Sequence, residues 1–95
     1  MCPVVFTEAA KAEISKIYTS KNIPPEYGLR IGVEGGGCSA VSFIIGFDKQ
    51  SATDKIYGME NVNIFIDKKH QMFLFGVKVD YVSNAEEQGF EFGSV

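Results

Sequence analysis

At 95 residues the chain is long enough for one domain with a modest core and too short for two. A composition of 45% hydrophobic and 22% charged residues is that of a globular protein and excludes a disordered or fibrous one. A net charge of −3, with the lysines scattered and Lys68-Lys69 the one basic cluster, lacks the electrostatic footprint of a nucleic-acid binder. The densest apolar run, residues 72–77, falls far short of the roughly 20 residues that a bilayer span requires, so no membrane partner is expected. Residues 1–6 show no basic region, long apolar stretch or cleavage site, so no secretory signal is read there and a cytoplasmic protein is expected. In that compartment Cys2 and Cys38 are not expected to bridge.

Thr7 is a good N-cap, and Glu8 suits the positive end of a helix. Ala10, Ile14, Ile17 and Tyr18 then recur at helical spacing, with Lys11, Glu13, Lys16 and Lys21 on other faces. The spacing predicts an amphipathic helix over 8–20, stopped before Pro24-Pro25. Tyr27, Leu29, Ile31 and Val33 alternate with Gly28, Arg30, Gly32 and Glu34, the pattern of a half-buried strand. Val41, Phe43, Ile45 and Phe47 alternate in the same way after a short glycine-rich connection, so the two strands should form an antiparallel hairpin. Residues 48–54 read as a polar loop. A second hairpin should pair residues 55–57 with 62–66. Asp67 can cap a short helix over 68–75 that Gly76 ends. Two further strands follow, at 77–81 and 90–92. The sum is a mainly β domain with one N-terminal helix and one short insertion helix, a sandwich or partly closed barrel in preference to βαβ units.

Gly35-Gly36-Gly37-Cys38-Ser39 forms the connection of the first hairpin. Three glycines remove bulk around a thiol and allow backbone conformations that turn successive N–H groups toward one point. Such donors favour negative charge and therefore the thiolate, the form that ligates metals and attacks electrophiles. The bland alternative is a small buried residue at a turn, but a triple glycine is costly in backbone entropy unless close approach is needed.

Gly28-Leu29-Arg30-Ile31-Gly32-Val33 followed by Gly36-Gly37-Cys38-Ser39 resembles the first half of the A-type iron–sulfur carriers, the HesB-like family. Residues 62–67, Gly76, Asp80-Tyr81 and Gly89-Phe90-Glu91-Phe92 extend the similarity along nearly the whole chain, 1–95 reading as a single HesB-like domain. In that family three cysteines serve as ligands, one in the Gly-Gly-Cys-Ser turn and two in a C-terminal Cys-Gly-Cys. Cys38 matches the first. No counterpart of the other two occurs through Val95, and Ala40 stands where the family usually has glycine.

The resemblance implies an iron–sulfur assembly accessory protein, not an enzyme. It would bind iron or a labile cluster through Cys38, with Gly36, Gly37 and Ser39 lining the bound group. Its partners would be iron–sulfur assembly proteins or acceptor apoproteins. Clusters are usually held by four thiolates, so a symmetric dimer would bring two Cys38 side chains together; Cys2, a carboxylate or a small thiol could complete the set. A second reading, favoured by the two absent cysteines, is a degenerate member without metal that serves as an interaction or regulatory module. A third is a thiol-reactive protein using Cys38 alone. His70, among Lys68, Lys69 and Gln71, reads as a solvated side chain. Asp80-Tyr81 reads as a strand terminus with a packed ring, and Phe90 and Phe92 as core or interface. The triple glycine lacks the Gly-Lys-Ser/Thr ending of a phosphate loop.

Overall fold

The computed structural model describes residues 2–34, 42–59 and 62–94. In chain order the elements are β1 (Val4–Phe6), α1 (Glu8–Ser20), β2 (Tyr27–Glu34), β3 (Ser42–Lys49), β4 (Asp54–Met59), β5 (Val62–Asp67), a 3-10 turn (Lys68–His70), α2 (Gln71–Leu74), β6 (Val77–Ser83) and β7 (Gln88–Ser94). They form a four-stranded sheet ordered β3-β2-β5-β4 and a three-stranded sheet ordered β1-β6-β7. The fold class read from sequence holds; the two sheets stay separate and do not close into a barrel.

Thr7 caps α1 as expected, its Oγ1 accepting from the Ala10 N–H at 3.1 Å. The helix ends at Ser20 as expected, and the backbone shows how. Asn22 takes a left-handed conformation at φ 52°. Its N–H reaches the Thr19 carbonyl, and the Ile23 N–H reaches that of Tyr18. This paired closure satisfies the last carbonyls before the prolines are reached.

Both expected hairpins form. β2 and β3 pair antiparallel from Tyr27↔Lys49 to Glu34↔Ser42, and β4 and β5 from Asp54↔Asp67 to Met59↔Val62. Two parallel pairings were not expected. β1, unread in the sequence, lies along β6 with Val4 opposite Val77, and β2 lies along β5 with Leu29 opposite Ile64. Asp80 sits within β6 and not at a strand terminus. The insertion helix splits into a 3-10 turn, where the Asp67 carboxylate accepts from the Lys69 N–H, and a four-residue α2. Gly76 at φ 79° lets the chain leave α2 for β6.

The core draws on both sheets and both helices: Val4, Ala10, Ile14, Leu29, Ile31, Val62, Ile64, Ile66, Leu74, Val77 and Val79. Each large aliphatic side chain buried there contributes about 1.5–3 kcal/mol. Alternation in β2 puts Leu29 and Ile31 into this core. β3, at the sheet's edge, leaves Phe43 and Ile44 exposed.

Candidate functional site

β2 and β3 carry the site. Their register runs unbroken to Glu34↔Ser42, so residues 35–41 join the two strands where pairing ends. Gly36, Gly37, Cys38 and Ser39 lie in that connection, outside the described residues. What the structure supplies is the frame from which they extend.

Three contacts fix that frame. On the core side, the ring of Phe43 stacks on Phe92 of β7, with centroids 4.9 Å apart and planes 6° from parallel. The stack ties the outer end of the hairpin to the last strand, and with it to Gly93 and Ser94. On the other side, His70 leans over Gly32. A Cβ at Gly32 would stand 2.9 Å from His70 Nδ1, so the ring would have to shift if glycine were replaced. His70 is therefore half-buried against β2, not a solvated side chain, because the 3-10 turn brings it back across the strand that β5 parallels.

The third contact is an ion-pair network further down the hairpin. Arg30 Nη1 and Nη2 donate to Asp54 Oδ1 and Oδ2 at 2.7 and 2.6 Å, Nε donates to Asp48 Oδ2 at 2.8 Å, and Nη2 also reaches the Lys49 carbonyl at 2.8 Å. Asp54 is the one charged residue buried among those described. The Arg30 guanidinium holds its carboxyl below the usual carboxylate range, and the Ser51 N–H, at 2.8 Å, adds to this. Sequence reading placed these acids in a polar loop and missed their convergence on Arg30. The available signal was a lone arginine on the first strand of a hairpin whose second strand ends beside Asp48, with Asp54 a few residues on.

Cys2 is half-buried, and burial pushes its thiol pKa up. It borders a cleft of about 290 Å³ with Val4, Val5, Phe6, Lys11 and residues of β4 and β5. That environment opposes the thiolate a metal ligand must be. A larger cleft of about 390 Å³ lies at the opposite end of the hairpin from residues 35–41, bordered by Pro25, Glu26, Lys49, Gln50, Asn63 and Phe65. Asp80 accepts from the Thr7 hydroxyl at 2.7 Å and from the Tyr81 N–H, and the Tyr81 ring meets Phe90 edge-on at 5.0 Å. This pair is structural, as is the Phe90 and Phe92 stripe. Among the described residues no group of three or more His, Cys, Asp or Glu side chains could hold a metal ion.

A mainly β domain of two sheets with two short helices is the fold of the HesB-like carriers. Residues 3–95 match the iron-sulphur cluster biosynthesis family, and the chain belongs to it. The iron-sulfur cluster insertion protein ErpA of Hydrogenovibrio crunogenus is 34% identical over 89 residues, covering 93% of this chain and 78% of that protein. The iron-binding protein IscA of Enterobacter sp. (strain 638) is 31% identical over 90 residues, covering 94% and 82%. Among solved structures, IscA with the [2Fe-2S] cluster superposes with a TM-score of 0.76 at 23% identity, covering 96% of this chain and 84% of that one. SufA of Escherichia coli, involved in biosynthesis of iron-sulfur clusters, gives 0.77 at 23% identity, covering 96% and 79%. The last two show the shared fold. No helix among the described residues is long and apolar enough to cross a membrane.

Proposed function

We propose that the protein is an iron–sulfur assembly carrier that takes iron or a labile cluster through the Cys38 thiolate and passes it to acceptor apoproteins. The observation that carries this reading is the family match over residues 3–95. It is supported by relatives named for iron binding and cluster insertion, and by a hairpin register that makes Cys38 part of an inter-strand connection. The iron or cluster is cargo. On this reading Gly36 and Gly37 add no side-chain bulk beside the sulfur, and they and Ser39 would line the cargo.

One Cys38 per chain falls short of the four thiolates that usually hold a cluster. Cys2 is disfavoured by burial, and a symmetric pair of chains would bring two Cys38 thiolates to one cargo. Such a site is open, and transfer follows by ligand exchange: an acceptor offering more thiolates displaces Cys38 without any bond-forming catalysis by the protein.

Anaerobic reconstitution with iron and sulfide tests this. The wild type develops visible charge-transfer absorption and retains iron, eluting at the dimer position, whereas Cys38→Ser stays colourless. Two colourless, iron-free proteins would overturn the reading and leave the scaffold as an interaction module.

A further inference from the structure

The connection between β5 and β6 leaves side chains uncovered that cluster transfer does not use. Met72, Phe73 and Phe75 are 75%, 52% and 67% exposed, while Leu74 between them is fully buried. Leu74 belongs to the core cluster and anchors the segment. Side chains exposed to that degree project from the surface instead of lining a groove. Together they leave on the order of 300–400 Å² of apolar area within four consecutive residues.

The surroundings are cationic in a chain of net charge −3. Lys68 and Lys69 are exposed in the turn just before α2, and Lys78 is exposed two residues past Gly76. The adjacent carboxylate, Asp67, is already engaged by the Lys69 N–H and the Thr53 hydroxyl. None of the three lysines is ion-paired with a described residue.

Charge and area decide the occupant. A second copy docking through the same patch would set Lys68, Lys69 and Lys78 against their own counterparts, and like charges facing across an interface are strongly unfavourable. A protein partner needs about 800 Å² on each side, somewhat more than half of it apolar, and would also have to bring a shaped acidic rim to the three lysines. An anionic bilayer needs no complementary shape. It takes apolar side chains at the boundary between headgroups and acyl chains and attracts nearby lysines.

We propose that residues 68–78 form a reversible membrane-contact tip. Met72, Phe73 and Phe75 enter the interface of an anionic bilayer, and Lys68 and Lys69 meet its phosphate headgroups. The expectation that no membrane is involved rested on the lack of a spanning segment, and a contact of this kind requires none.

Co-sedimentation of the full chain with vesicles tests it, using phosphatidylcholine alone or in equal parts with phosphatidylglycerol. Partition into the mixed vesicles should exceed that into neutral ones on the order of tenfold or more and fall with added salt. Phe73→Ser/Phe75→Ser should abolish binding, and Lys68→Glu/Lys69→Glu should abolish the preference for anionic vesicles. All four positions are exposed, so unchanged circular dichroism and urea midpoints are expected. No partition by the wild type, equal partition into both vesicles, or partition unchanged in either double variant would overturn the proposal. So would concentration-dependent self-association lost in Phe73→Ser/Phe75→Ser, which would assign the tip to a second copy.

Discussion

Replacing Asp54 by alanine removes the one buried carboxylate of the Arg30 network, and its cost can be worked from the geometry. The Asp54 side chain is fully buried and meets Arg30 through two bonds of 2.6 and 2.7 Å. Removing one partner of a buried pair costs about 3–5 kcal/mol, because the remaining charge is left uncompensated. Arg30 is 22% exposed and would keep Asp48 and the Lys49 carbonyl, which lowers the expected loss to about 2–3 kcal/mol. Urea unfolding should show a lower midpoint at unchanged slope, and Tm should fall by about 10–20 °C. Asp48→Ala is the control: its side chain is 57% exposed, and its loss should cost far less, because exposed ion pairs contribute little. If Asp54→Ala cost no more than Asp48→Ala, the bidentate pair would not be holding the hairpin.

The same carboxylate carries a pH dependence. Its folded pKa is depressed, chiefly by Arg30, so its contribution is full above the unfolded value of about 3.9 and is lost as pH falls through the folded value. Asp54→Ala should therefore flatten the acid limb of the stability curve below about pH 4. The limb should be reduced and not abolished, because Asp67 and Asp80 are also held low by hydrogen bonds.

At Gly28 an added Cβ would stand 2.6 Å from the Asn63 carbonyl oxygen, whereas at Gly32 it would meet the movable ring of His70. Gly28→Ala should thus cost about 1–3 kcal/mol in urea unfolding, Gly32→Ala less, and Gly32→Ala in a His70→Ala background almost nothing. Thr7→Ala removes both the helix cap and the Asp80 hydrogen bond and should cost about 2 kcal/mol, most of it restored by serine. A double-mutant cycle on Phe43→Ala and Phe92→Ala should return a coupling of about 0.5–1.5 kcal/mol; additive losses would show that the stack does not tie β3 to β7.

The features legible in the sequence were those written in local periodicity. Helical spacing from Ala10 to Tyr18 bounded α1, and strict alternation from Tyr27 to Glu34 bounded β2. Partner choice is not local. β1 is three residues long and exists because β6 accepts it in parallel, a preference with no trace in the residues around Val4. The end of α1 at Ser20 was legible, but the left-handed closure at Asn22 was not. His70 read as solvated because its cover, Gly32, lies on a strand that only the parallel β2–β5 pairing brings near. For the candidate site the sequence points to Gly36-Gly37-Cys38-Ser39, which lie outside the described residues. The supports of its frame at Phe92, His70 and Arg30 depend on tertiary neighbours and could not be read.

Those supports act by different physics at different heights along one hairpin. Charge pairing at Arg30 fixes the middle, and glycine-to-ring contact at Gly32 fixes the next step. An aromatic stack at Phe43 fixes the outer end. Ligand exchange requires a sulfur that can let go of its cargo while the backbone behind it holds position. A fixed frame for the connection between them requires that β2 and β3 stay paired as far as Glu34↔Ser42. An unpinned edge strand such as β3, with Phe43 and Ile44 exposed, would lose register from its open end. The Phe43–Phe92 stack opposes that loss where it would begin, and so keeps the paired end of the hairpin, Glu34↔Ser42, in register.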